Sequence, residues 1–317
     1  MYKRQVYNNL NQKYTYAELV DDASKLEIPN NVKLKDPKDF KIIGKSVVNV
    51  DIEKLVTGKP LFGLDYKEDG MVYSCVLRPP AFGQTLISFD SSESKKINGV
   101  IDVVKLENKV AVIAKNTFAA IQGKKALRAE WKNPKILEDS IFHKNKLNEL
   151  LDKGEFKTMR KDGDVAKAFS EADKIIEKTY ESPFLPHSCM EPMNFFANVT
   201  DKKIDLVGPI QTPDNTSKQV AEMLKRDISE IDLKMTRMGG GFGRRLRGDF
   251  VIEAAKISDI IRKPVQVVYS REDDMTAGLY RPAIHYRIAA SIKNNKLTGY
   301  WLKEASINSN MSVSYTH

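Results

Sequence analysis

Four of the five residues from Gly239 to Gly243 are glycine, Phe242 is the exception, and Arg244-Arg245 follow; this run constrains the chain more than any other feature. Glycines permit positive φ and let a ligand approach the backbone closely. Ile231 to Met238 alternates and reads as a strand, and Phe250 to Ile261 has helical spacing. A glycine loop between a strand and a helix offers free N–H groups and the positive end of a helix dipole. Two guanidinium groups, Arg244 and Arg245, match phosphate geometry. The expected ligand is an anion, in the first instance a phosphate; the bland alternative is a bare tight turn. A dinucleotide fingerprint fails because its third glycine falls on Arg244 or Leu246. A P-loop fails because no Gly-Lys-Ser/Thr follows.

The rest of the chain reads as α/β (α+β). Residues 1–45 form a lead-in with one short helix near Tyr16. Residues 46–135 form a unit with strands at Met71–Leu77, Gly99–Val104 and Val110–Ala114, a short helix capped by Asp90, and a helix from Thr117 to Trp131. Phe118, Ile121, Ala126 and Leu127 are expected to share the buried face of that second helix. Residues 136–164 read as a polar bridge with a helix near Lys146–Leu151. Residues 165–317 form the next unit, with strands at Lys174–Tyr180, Met193–Val199, Ile204–Val207 and Pro264–Tyr269. Thr212-Pro213 opens a helix there, with Thr212 as cap and Pro213 at the first helical position.

Several motifs stand in order around the loop. Met238-Gly-Gly-Gly-Phe-Gly-Arg-Arg245 resembles the loop of the xanthine dehydrogenase and aldehyde oxidase superfamily of molybdenum hydroxylases. Gly208-Pro-Ile-Gln-Thr212 is similar to that family's glutamine segment, and Gln211 precedes Phe242 by 31 positions, as in the family. Ser182-Pro-Phe-Leu-Pro-His-Ser-Cys-Met-Glu-Pro192 looks like the H-x-x-M-E-P signature of the isoquinoline 1-oxidoreductase type, and Tyr280-Arg-Pro282 has a counterpart. Upstream, Thr57–Asp65 through Arg78-Pro-Pro80 resembles the family's α/β hammerhead domain. The resemblance runs from about Tyr14 onward.

It implies a hammerhead domain followed by the first part of a molybdopterin-binding domain. The implied cofactor is molybdopterin cytosine dinucleotide, with molybdenum, held by Gly239, Gly240, Gly241, Phe242, Gly243, Arg244 and Arg245. No side chain of this chain is implied as a direct metal ligand. Gln211 is implied to stand beside an oxygen ligand of the metal. The implied reaction hydroxylates an aldehyde or an aromatic N-heterocycle with oxygen from water. Electrons then leave through a small [2Fe–2S] partner subunit, with a cytochrome c as one compatible acceptor. The family's purine-binding Glu is replaced here by Leu246, which favours a less polar ring or an aldehyde in the substrate pocket. The family's catalytic Glu lies in a G-x-G-E segment that does not occur here. The chain is therefore expected to be a truncated product or one part of a split subunit, inactive alone.

Other side chains carry less. Glu191 is expected to be a buried carboxylate with a local partner, and His187 structural, since no metal-ligand spacing surrounds it. Arg281 reads equally as an anion contact and as a surface residue. Arg271–Asp274 reads as a solvated strand end. Cys75 and Cys189 lack C-x-x-C spacing and read as buried thiols. A net charge of +9 is spread as scattered lysines, and no RNP motif, zinc-finger spacing or basic helix points to nucleic acid. No run of about 18 apolar residues exists to span a membrane. Met1–Leu19 is polar, without the apolar core of an export signal, so the chain as it stands is expected in the cytoplasm even where relatives are exported. Two competing readings are a nucleotide-binding dehydrogenase, with Glu272 as ribose ligand, and a non-catalytic scaffold.

Overall fold

The β-prone runs pair into a seven-stranded sheet in the computed structural model, which describes residues 5–276, 279–307 and 315–316. Met1–Arg4 and the end of the chain at His317, both weighed above, lie outside the described residues. The chain divides into two units, Met1–Thr57 and Gly58–His317. In the first, Tyr16–Ala23 is helical because Thr15 and Glu18 form a capping box. No described residue of that unit is buried.

In the second unit the sheet order is Ile231–Met235, Ile204–Gly208, Asn194–Val199, Val265–Val268, Val72–Leu77, Lys109–Ala114 and Val100–Leu106. Ile204–Gly208 with Ile231–Met235, and Val265–Val268 with Val72–Leu77, are parallel pairs; the other neighbours are antiparallel. This mixed sheet lacks the all-parallel order on which a dinucleotide-binding dehydrogenase depends. Strands expected on either side of residue 135 thus share one sheet, joined by the pairing of Val265 with Val72.

Side chains alternate along Val72–Leu77, and a helix covers each face. Val72 and Val76 join the core under the helix Asp249–Ile261, with Phe195, Ala197, Phe250, Ala254 and Val267. Cys75 faces the other way, onto Ala119 and Ala120 of the helix Thr117–Ala126. That helix corrects two expectations. It ends at Ala126, and Arg128–Lys132 is instead a strand paired with Thr85–Asp90. Its buried face is Ala119, Ala120 and Gly123, while Phe118 is exposed. Small residues win because a Cβ on Gly123 would lie 2.7 Å from Val112 Cγ1 and 2.8 Å from Val100 Cγ2. Asp90 closes the strand before the short helix Ser92–Lys95 and accepts the Ser92 N–H at 2.8 Å, so the helix begins later than expected.

A second, antiparallel sheet joins Lys174–Ser182, Ile284–Lys293, Lys296–Ile307 and Tyr315–Thr316. The helix Ser140–Lys153, in the segment read as a bridge, covers it by burying Leu147 and Leu151 against Ala283, Ala305 and Ile307. Each such leucine contributes about 1.5–3 kcal/mol of hydrophobic stabilisation. The register sets Ile284 opposite Ser182, so the segments just outside, Leu185 and Arg281, also meet.

A cluster of charge is buried beneath the sheet. Glu253, on the helix Asp249–Ile261, meets Arg78, Lys109 and the Tyr269 hydroxyl, the last at 3.0 Å. Burial pushes the Glu253 carboxyl up, but Arg78 and Lys109 outweigh it and hold the group at about 2. Because the folded value lies below the unfolded one, this stability is complete above about pH 4.5 and is lost as pH falls toward 2. Thermal melts between pH 6 and pH 2 are expected to lose on the order of 3 kcal/mol from this group. Glu253→Gln should start less stable and flatten that part of the profile; an unchanged profile refutes the assignment.

Candidate functional site

The loop leaves the strand Ile231–Met235 and turns through positive φ at Gly240 (104°), Phe242 (49°) and Gly243 (95°). Phe242 adopts a conformation that non-glycine residues rarely hold, and its ring is exposed. A 3-10 turn, Arg244–Leu246, separates the loop from the helix Asp249–Ile261. The helix N-terminus therefore does not follow the loop directly, and its first turn already carries the Asp249 carboxylate.

Arg244 and Arg245, expected as phosphate ligands, are buried. Arg244 forms a bidentate pair with Asp249 at 2.7 and 2.8 Å. Arg245 donates to the carbonyl oxygens of Gly240 (2.9 Å), Glu191 (2.8 Å), Pro209 (3.3 Å) and Pro192 (3.5 Å), and to Glu191 Oε2 at 3.4 Å. Both guanidiniums are held by acceptors of the protein. A buried arginine needs such partners, and Arg245 finds them in carbonyls of Gly240, Glu191, Pro192 and Pro209, whereas Arg244 takes Asp249 and leaves its Nε buried without a partner.

Glu191 is buried as expected, and its local partners are Gly239, Asn194, Leu64 and Arg245. Its Oε2 accepts the Gly239 N–H at 2.8 Å, and its Oε1 accepts from Asn194 Nδ2 at 3.0 Å and the Leu64 N–H at 3.3 Å. Its own N–H donates to the Gly239 carbonyl at 3.0 Å. Cys189 lies against Gly240, and its thiol donates weakly to the Gly241 carbonyl at 3.6 Å. Arg271 holds the same segment from outside by donating to the carbonyls of Cys189 (2.7 Å) and Met190 (2.8 Å). Arg271–Thr276 is a short helix with Asp273 and Asp274 buried, not a solvated strand end. Glu272, the ribose ligand of the dehydrogenase reading, is exposed on it.

Gln211 stands where the strand Ile204–Gly208 gives way to the helix Pro213–Leu224. Its Oε1 accepts the Gly243 N–H at 3.2 Å, and its own N–H donates to the Arg245 carbonyl at 2.9 Å. The side chain thus ties the strand end to the loop and does not cap the helix. Its Nε2 has no acceptor among the described residues, and the residue is exposed. Thr212 is the cap residue by position, yet its hydroxyl donates to the Leu246 carbonyl at 2.9 Å. Leu246 is exposed beside the loop.

Two further features emerge. The N–H groups of Gly240, Gly241 and Phe242 have no acceptor among the described residues. A Cβ on Gly241 would lie 2.7 Å from Gln211 Oε1 and 2.9 Å from Met238 Sδ. His187 presents Nε2 to Gly243, 3.7 Å from where a Cβ would sit, and its Nδ1 is buried without a partner. Burial, then Arg244 and Arg281, push the imidazole below its ordinary basicity. No group of three or more His, Cys, Asp or Glu side chains among the described residues could hold a metal ion.

Sequence positions expected at the site therefore divide. Gln211, Gly239–Gly243 and Leu246 come together, joined by Glu191 and His187 from the Ser182–Pro192 segment. Arg244 and Arg245 turn inward.

Comparison with known proteins gives the same region prominence. Residues 142–309 match the model of the molybdopterin cofactor-binding domain. The chain is 30% identical over 261 residues to a membrane-bound aldehyde dehydrogenase (pyrroloquinoline-quinone) of Gluconacetobacter polyoxogenes, covering 78% of this chain and 34% of that protein. It is 28% identical over 276 residues to the isoquinoline 1-oxidoreductase subunit beta of Brevundimonas diminuta, covering 82% and 35%. Among solved structures, quinoline 2-oxidoreductase from Pseudomonas putida 86 superposes with a TM-score of 0.67 at 15% identity, over 82% of this chain and 39% of that one. The chain thus spans about a third of the length of these curated relatives.

Proposed function

The chain belongs to the molybdopterin cofactor-binding family of the molybdenum hydroxylases, and from that premise we propose that its glycine loop holds the phosphate end of a molybdopterin cytosine dinucleotide through backbone N–H groups. The observation that carries this reading is the run of three successive unpaired donors, at Gly240, Gly241 and Phe242. Successive N–H groups in alternating backbone conformations form an anion-binding concavity without any charged side chain. Position 241 must stay glycine for the loop to keep this shape, because a side chain there would collide with Gln211 and Met238.

In this reading the chain is part of a large subunit that works with a small [2Fe–2S] subunit. Substrates are aldehydes or aromatic N-heterocycles, whose carbon framework suits exposed Leu246 and Phe242 at the loop. Residues 46–135 are the hammerhead-like part. The bound cofactor supplies two-electron oxidation at molybdenum, with oxygen drawn from water. The chain's own residues position and shield. Glu191 and Arg245 set the loop's shape, Gln211 Oε1 fixes Gly243, and the free Gln211 Nε2 offers a neutral hydrogen-bond donor to the group bound above it.

Titration of the chain with cytidine diphosphate tests the loop. Saturable binding, displaced by inorganic pyrophosphate, is expected, and no binding at millimolar ligand overturns the assignment. In the loaded enzyme, Gln211→Ala is expected to leave cofactor content near wild type and lower turnover per molybdenum about 10–100-fold. A fall in thermal stability with turnover per metal unchanged would assign Gln211 a purely structural task.

A further inference from the structure

Tyr280-Arg281-Pro282 is the one motif that the loop does not absorb. Its backbone is fixed: Arg281 donates to the Leu185 carbonyl at 2.9 Å, and its own carbonyl accepts the Leu185 N–H at 3.4 Å. Tyr280 is wedged beside Phe184 (ring centroids 6.2 Å apart) and Phe82 (5.9 Å) and donates its hydroxyl to the Thr276 carbonyl at 2.6 Å. Two residues beyond Leu185, His187 reaches Gly243, where Leu246 Cδ1 also comes within 4.0 Å of the position a Cβ would take. The antiparallel bridge therefore holds the Arg281 backbone against Leu185, two residues before the His187 that faces the loop.

Arg244 and Arg245 are closed off inside the protein, whereas the Arg281 guanidinium is exposed and has no carboxylate or carbonyl partner among the described residues. An anchored backbone with a free guanidinium, close enough for its charge to act on His187 at the edge of the loop, together with exposed Leu185, Leu246 and Phe242, makes a two-part receptor. The apolar surface takes a ring and the cation takes an oxyanion, which a guanidinium binds in bidentate fashion.

We infer that Arg281 binds an oxyanion of the ligand that lies beside the loop, so that the site takes an aromatic ring carrying a carboxylate or, through the same chemistry, a phosphate of the cofactor. The inference rests on the loop reading above, and its test separates the two. The probes are benzoate, its neutral counterpart benzamide, and cytidine diphosphate, each titrated into the full chain and into Arg281→Gln, Arg281→Lys and Arg128→Gln. Arg128 is likewise exposed, but it lies on the strand Arg128–Lys132 opposite Asp90 and serves as control.

Wild type is expected to bind benzoate more tightly than benzamide. Arg281→Gln should weaken benzoate about tenfold or more, as loss of a charge-assisted bond does. Arg281→Lys should fall between, and Arg128→Gln should match wild type, with the thermal midpoints of all variants unchanged. A loss confined to benzoate identifies a substrate carboxylate; a loss confined to cytidine diphosphate identifies a cofactor phosphate. Unchanged binding of both probes in Arg281→Gln, or an equal loss in Arg128→Gln, overturns the proposal. Failure of wild type to bind cytidine diphosphate, with benzoate binding still dependent on Arg281, removes the loop reading alone.

Discussion

Gly241→Val is expected to abolish cofactor retention in the intact subunit, measured as molybdenum and pterin content after purification. The steric argument is local. A Cβ at this position lies 2.7 Å from Gln211 Oε1, 2.8 Å from Gln211 Cδ and 2.9 Å from Met238 Sδ. The two atoms of Gln211 belong to the side chain that accepts the Gly243 N–H, so a side chain at position 241 meets fixed neighbours. Valine adds two γ-carbons on a χ1-restricted stem and blocks close approach of a ligand to the backbone. The neighbouring N–H groups of Gly240 and Phe242 cannot compensate, because they need the same approach. Gly241→Ala should retain a reduced fraction, since its single carbon can be accommodated if Gln211 and Met238 shift. Wild-type molybdenum and pterin in the valine variant would remove this loop from the cofactor site.

Arg245→Met is expected to destabilise the fold by about 3–5 kcal/mol, the usual cost of removing one member of a buried ion pair. Arg245 is fully buried and donates to acceptors on three segments: Glu191 and Pro192, Pro209, and Gly240. Methionine has a comparable length and fills much of the space, so a cavity contributes little. What remains is a set of carbonyls without a donor and a Glu191 carboxylate with one cation fewer. At about 2–4 °C per kcal/mol for a unit of this size, the melting midpoint should drop on the order of 10 °C. Arg245→Lys should recover only part of this, because an ammonium group cannot span acceptors spaced for a planar fork. A change in cytidine diphosphate binding with no loss of stability would instead return Arg245 to the ligand side.

Much of the local structure was legible in the chain. The strand Val72–Leu77 shows as an apolar β-prone run stopped by Pro79-Pro80, and the helix Pro213–Leu224 shows through Thr212-Pro213. Where a reading went wrong, packing had overridden a local pattern. The Thr117–Ala126 helix buries alanine and glycine because the sheet lies too close for Phe118. The strands Ile284–Lys293 and Lys296–Ile307 carry charged and polar residues among apolar ones, and only their pairing with each other, and that of Ile284–Lys293 with Lys174–Ser182, identifies them.

The candidate site divides in the same way. Gln211, the glycines and Leu246 could be named because spacing and residue type follow from backbone conformations that only such residues adopt readily, or from motifs that travel with them. The sequence by itself determined that a backbone-lined loop would sit between a strand and a helix. It could not determine which way Arg244 and Arg245 face, since a guanidinium satisfies a phosphate and a row of carbonyls equally well. That choice belongs to the tertiary structure. Folding brings Glu191, Pro192 and Pro209 within reach of Arg245, and Asp249 within reach of Arg244, so both cations are bound by the protein. The same folding leaves Gly240, Gly241 and Phe242 as donors without acceptors, because the groups that would have paired with them in a regular element are turned away by three positive φ angles.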